Sequence, residues 1–116
     1  MDEIKEIELL LLKSIINNNL GKFSFLLEHL NFIKIKSRVA NGISLLVNFE
    51  YLKDFPEEEF TNGLISADLK LTTASLKNEL TYCLDITSGK MDFLEIVTNG
   101  NEIWNGNLEN CNLTQS

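Results

Sequence analysis

The stretch Phe32-Ile33-Lys34-Ile35-Lys36-Ser37-Arg38-Val39-Ala40-Asn41-Gly42-Ile43-Ser44-Leu45-Leu46-Val47-Asn48-Phe49-Glu50-Tyr51 decides the fold. Ile33, Ile35 and Val39 alternate with Lys34, Lys36 and Arg38. Beyond Asn41-Gly42, Ile43, Leu45, Val47, Phe49 and Tyr51 alternate with Ser44, Leu46, Asn48 and Glu50. A period of two marks a strand with one buried face. Asn-Gly between two such runs is the strongest short hairpin signal, because both residues reach positive φ at low cost. The stretch therefore reads as one β-hairpin.

Upstream the period is helical. Over residues 2–17, Ile4, Ile7, Leu11 and Ile15 recur at steps of three and four, and Leu12 and Ile16 widen the stripe. Asp2, Glu3 and Glu6 suit the positive end of the helix dipole. Asn17-Asn18-Asn19 ends this helix, since Asn tolerates the left-handed conformation. Phe23, Leu26, Leu27 and Leu30 predict a second helix over 20–30, antiparallel to the first because the loop is short.

Downstream the period of two returns. Ile65, Ala67, Leu69 and Leu71 predict one strand, and Leu80, Tyr82, Leu84 and Ile86 another. Residues 91–98 predict a third, in which adjacent Phe93 and Leu94 imply a bulge or two buried faces. A short strand is expected around Glu102-Ile103-Trp104, followed by a polar tail. Asn-Gly pairs at 41, 62, 99 and 105 punctuate these runs. Such short connections suit antiparallel neighbours and not parallel ones. The expected architecture is α+β: two N-terminal helices packed on an antiparallel β-meander of five or six strands. A single domain spans 1–116, with a helical hairpin over 2–30 and the sheet over 32–109.

Composition agrees. The chain has 116 residues, 44% hydrophobic and 23% charged, within the range of one ordinary domain of about 100–150 residues. Ten Lys+Arg against seventeen Asp+Glu leave a net charge of −7. Nucleic-acid binding runs on phosphate neutralisation by cations, so this balance weighs against it. The acidic start Met1-Asp2-Glu3 is no export signal, and the longest apolar run is Leu9-Leu10-Leu11-Leu12. The expectation is a cytoplasmic protein without a membrane segment. Cys83 and Cys111 lie 28 residues apart, which is neither CxxC nor a zinc pattern. They read as thiols, the alternative being a bridge that pins the tail.

Few residues suggest chemistry. His29 is the only histidine, with no nucleophile or orienting partner beside it in sequence, and reads as structural. No phosphate loop, nucleophile elbow or metal-ligand spacing occurs, so no cofactor and no metal are expected. Asp68, Asp85, Asp92 and Glu95 lie in or beside strands. Asp68 and Asp85 could share an open sheet face, ordinarily a solvated one. Lys34, Lys36 and Arg38 form a basic stripe that reads as a solvated face paired across the hairpin with Glu50. Trp104 caps the core or serves as an interface anchor. The most distinctive feature is Asp54-Phe55-Pro56-Glu57-Glu58-Glu59-Phe60, two Phe flanking a carboxylate cluster. Fixed negative charge beside apolar anchors can dock a basic partner, or the rings can plug the core edge.

In length, acidity, Asn/Lys/Ile-rich usage and order of helices before strands, the whole chain resembles the immunity proteins of bacterial toxin–immunity systems. The resemblance implies a non-enzymatic protein-binding inhibitor. It would neutralise a cognate, basic toxin domain, in some cases a nuclease, by covering its active site. Asp54, Glu57, Glu58 and Glu59 are the partner-binding candidates. The alternatives are a small ligand-binding or enzymatic α+β domain, distinguished by a cavity with convergent carboxylates or His29 inside it, and a homodimeric regulatory or scaffold subunit joined along a free sheet edge.

Overall fold

A computed structural model of the chain describes residues 3–56 and 61–115. It is an α+β fold. Helices α1 (Glu6–Asn17), α2 (Leu20–Phe23) and α3 (Leu26–His29) and a 3₁₀ turn (Leu30–Phe32) precede seven strands. These are β1 (Ile33–Ala40), β2 (Ser44–Tyr51), β3 (Gly63–Ile65), β4 (Lys70–Thr73), β5 (Thr81–Thr87), β6 (Lys90–Val97) and β7 (Cys111–Thr114). Five form one antiparallel sheet in the order β1-β2-β6-β5-β3, and β4 pairs with β7 in a separate two-stranded sheet. The buried apolar side chains of helices and both sheets make one cluster.

Helix α1 buries the expected stripe, with Leu11, Leu12, Ile15 and Ile16 fully inaccessible. Its end differs in mechanism from the expectation. Asn18 stays right-handed at φ −76°. The helix stops because the Asn19 side-chain amide donates to the Ile15 carbonyl at 2.7 Å and to the Ser66 carbonyl at 2.8 Å, satisfying helix-end and loop acceptors together. The predicted second helix is two single turns. Ser24 and Phe25 keep helical dihedrals, but Leu27 N–H bonds three residues back to Ser24. Leu27, placed on the apolar face by sequence, is exposed.

The hairpin forms, but its turn is Gly42-Ile43: Asn41 N–H donates to the Ser44 carbonyl at 3.1 Å, Asn41 does not take positive φ, and Ile43, read as inward, is exposed. Gly42 takes φ +94°, and the Asn41 carboxamide oxygen accepts hydrogen bonds from Ile43 N–H and Ser44 N–H. A bulge at Lys36 then changes the reading of β1. The register steps from Ile35↔Phe49 to Ser37↔Asn48. Ile33 and Ile35 face the helices, but beyond the bulge it is Arg38 that shares the side of fully buried Val47, while Val39 turns outward and is 54% exposed. The strand β6 carries a second bulge at Asp92, where Asp85↔Phe93 is followed by Ile86↔Met91. This explains the adjacent Phe93 and Leu94: Leu94 is buried and Phe93 faces out.

Inward rotation of Arg38 meets Glu8, which is 0% exposed on α1. Arg38 donates from Nε to one Glu8 carboxylate oxygen and from Nη2 to the other, both at 2.7 Å. Lys5 N–H donates to the same carboxylate at 2.8 Å, and Arg38 also reaches the Glu3 carbonyl at 2.9 Å. The basic stripe is therefore not one solvated face. Lys34 does pair with Glu50 across the hairpin, at 3.3 Å, but Arg38 ties the sheet to α1.

Three further expectations change. The single strand read through Ile65, Ala67, Leu69 and Leu71 is divided between two sheets, β3 and β4. Polar hooks bend the chain between them: the Ser66 hydroxyl donates to the Tyr82 carbonyl, and the Tyr82 hydroxyl donates to the Leu69 carbonyl at 2.8 Å. Around Glu102-Ile103-Trp104 there is no strand. Trp104 is buried, its N–H held by the Gly42 carbonyl at 2.8 Å, so it caps the core. The polar tail, placed beyond the sheet by sequence, instead supplies β7. Gly106 lets this segment approach the hairpin: a Cβ there would stand 2.9 Å from the Ala40 side chain.

Truncating Glu8 to Ala leaves the Arg38 guanidinium without its buried counter-ion. A cost of about 3–5 kcal/mol is expected from urea unfolding midpoints, whereas the Glu8→Leu/Arg38→Met pair regains most of that loss. An unchanged midpoint for Glu8→Ala would show that the pair does not hold helix to sheet.

Candidate functional site

The acidic loop begins where β2 ends, and an aromatic nest fixes its start. Phe55 stacks on His29 with ring centroids 4.0 Å apart and meets Tyr51 and Phe32 edge-on, each at 5.8 Å. Lys53 Nζ lies over Phe32 at 4.9 Å and Phe55 at 5.2 Å. Phe55 thus plugs the core edge while its neighbour Asp54 is exposed. Of the two readings of this loop, the core plug describes Phe55. Glu57, Glu58 and Glu59 lie outside the described residues.

His29 itself is 5% exposed. Its Nδ1 is 2.8 Å from the Tyr51 hydroxyl, which accepts the Met91 N–H at 2.9 Å. The hydroxyl hydrogen is then free to point at Nδ1, which makes that nitrogen the acceptor. His29 is the hub of a ring cluster that also includes Phe25. Desolvation by burial pushes the Tyr51 phenol up to about 12, opposed in smaller part by the Met91 hydrogen bond.

The strand carboxylates separate into different settings. Asp68 lies exposed in the bend between β3 and β4, so it does not share a face with Asp85. Asp85 and Glu95 do share one. On the side of the five-stranded sheet turned away from the helices, Cys83 pairs with Glu95 and Asp85 with Phe93. The Cys83 thiol is pushed up by burial and further by these two carboxylates, which makes it a poor nucleophile. The Cys111 thiol is also raised by burial, partly offset by a Thr73 hydrogen bond. Both cysteines are free thiols, as read from sequence, and no bridge pins the tail.

A groove of about 880 Å³ runs between α1 and β7 and is lined by Ile7, Leu10, Leu108 and Leu113, with Lys5 and Glu6 also lining it. His29 does not line it. Among the described residues no three His, Cys, Asp or Glu side chains converge on a common point suited to a metal ion. No described helix is long and apolar enough to cross a membrane. Compared with protein-family models, curated proteins and solved structures, the chain matches none of them.

Sequence reasoning missed two features, the buried Glu8–Arg38 pair and the composition of the outer sheet face. The first depends on the bulge at Lys36, which also turns Val39 outward, and Phe93 reaches the outer face through the bulge at Asp92. The signal available was a broken alternation, with Val39 in phase with Ile33 and Ile35 but Ser37 between them.

The raised phenol fixes a pH dependence. The folded pKa of Tyr51 lies above its unfolded value of 10.0. The stability it contributes is therefore complete below that value and lost as pH rises through about 12. In a Tyr82→Phe variant, tyrosinate absorbance is expected to appear only near that upper value, together with unfolding. Titration near the ordinary phenol value with the fold intact would refute the buried His29–Tyr51 contact.

Proposed function

We propose that the chain is a protein-binding domain that docks on and masks a basic protein, the role of the immunity proteins it resembles. The observation that carries this reading is the display of acidic charge from a fixed base. A chain of net charge −7 presents Asp54 beside a ring stack anchored on His29, at the head of the Glu57-Glu58-Glu59 run. A charged group held by a rigid support retains its position on encounter, so it contributes to steering without a large ordering cost. An excess of seven negative charges also favours a cationic protein over a polyphosphate.

The test is capture of partners from the native lysate at low and high salt, with wild type and with the Asp54→Asn/Glu57→Gln/Glu58→Gln/Glu59→Gln variant. One stoichiometric basic partner is expected, released by salt. The variant should associate roughly tenfold more slowly with a flatter salt dependence. No basic partner at either salt would refute the reading, and unchanged kinetics in the variant would remove the loop from it.

A further inference from the structure

Resting on that reading, we propose that the body of the partner covers the outer face of the five-stranded sheet, through a segment that carries Lys or Arg beside apolar side chains. The register defines this face. One row across it is Val39, Leu46, Glu95 and Cys83, and the next is Ser37, Asn48, Phe93, Asp85 and Leu64. No described helix or strand lies over it: the core cluster takes the residues on the opposite side of the same strands. Yet its composition is not that of a simple solvated face. Val39 is 54% and Leu64 64% exposed, and Leu46, Phe93 and Val97 lie half-buried between them. Several apolar side chains on one uncovered sheet face mark an interaction surface more often than single exposed residues do.

Charge selects the partner. Between Thr81 and Thr87 on β5 and between Phe93 and Val97 on β6, the outward side chains include Asp85 and Glu95 and no cation. Neither carboxylate has a Lys or Arg partner among the described residues, and Asp85 accepts only from the Thr87 hydroxyl, at 2.7 Å. Of the cations toward this face, Lys34 is already paired with Glu50, and Lys90, opposite Thr87 at the end of the β5–β6 hairpin, has its ammonium 5.9 Å from the Tyr51 ring and no carboxylate partner among the described residues. Two carboxylates unneutralised beside apolar surface are complementary to a cationic, amphipathic segment. A second copy of this chain fits poorly. Face to face, it would set Asp85 and Glu95 against themselves on molecules each of net charge −7. Pairing by sheet edges is also blunted, since β1 is bulged at Lys36 and β3 has three residues.

The probe is a synthetic helical peptide with one Lys-rich and one Leu-rich face, compared with its Glu-for-Lys counterpart. Binding is mapped by backbone amide chemical shifts on the full chain. The largest shifts are expected at Leu46, Leu64, Phe93 and Glu95, with no binding of the acidic peptide. Phe93→Ser, which keeps every charge, and Asp85→Asn/Glu95→Gln, which keeps the apolar band, should each weaken binding roughly tenfold. The four-residue loop variant removes more charge but should leave the shift map in place. Shifts centred on the α1–β7 groove or on the loop, face variants that bind as wild type, no binding at all, or a dimer formed through this face would each overturn the assignment. Capture of a basic partner that the loop variant loses and the face variants retain would overturn this face alone and leave the protein-binding reading standing.

Discussion

Arg38 and Glu8 are the contact on which the arrangement of helix and sheet depends. Each is an ion that water would hold strongly, and the Glu8 carboxylate is fully removed from water. Burial on these terms is tolerated only when the partner is close and the remaining lone pairs are used. The guanidinium fork, the Lys5 N–H and the Glu3 carbonyl meet those needs. A hydrophobic contact between α1 and the sheet would permit sliding along the stripe of Leu and Ile. A bidentate pair does not, because its geometry is satisfied at one register only. The cost is borne in β1, where the bulge that turns Arg38 inward also turns Val39 outward.

That exchange gives the sheet two unlike faces. The inner one is closed by α1, the short helical turns and the two-stranded sheet. The outer one carries apolar side chains, of which Val39 and Phe93 are turned out by the two bulges, beside the carboxylates of Asp85 and Glu95. The ring cluster around His29 performs a separate task at the end of β2. It converts a proline-containing connection into a supported one, so that the acidic run starts from a defined position. On the proposed protein-binding reading, charge at the loop would act during encounter and the apolar side chains of the sheet in the docked state.

Much of this was legible in the residues. The α+β class followed from the change of period at Phe32, and the hairpin from Asn41-Gly42. Adjacent Phe93 and Leu94 announced the second bulge. What was not legible has common causes. Period-two patterns cannot show that a chain leaves one sheet for another, so Ile65 and Leu71 read as one strand although Ser66 and Tyr82 bend the chain between them. They also cannot show parity after a bulge, so Arg38 was assigned to solvent. The tail strand had no hydrophobic period of its own, being ordered by pairing Leu113 with Leu71. At the candidate site, the acidic loop stood out in sequence because its residues are contiguous. The outer face did not, because its members come from strands far apart in the chain.

The strand order bears on how the molecule forms. The pairs β1–β2 and β5–β6 are each closed by a tight turn, so either can assemble with little loop-closure entropy. The sheet becomes continuous only when β2 lies against β6, matching Val47 to Leu94 across the whole intervening segment. Joining those two hairpins requires closing the longest loop in the sheet before any of its hydrogen bonds can form, and such non-local closures slow folding. The barrier to folding should therefore sit at this seam, with each hairpin formed on the way to it. Val47 and Leu94 are both fully buried there, so contacts at this seam govern how fast the sheet forms more than how fast it comes apart.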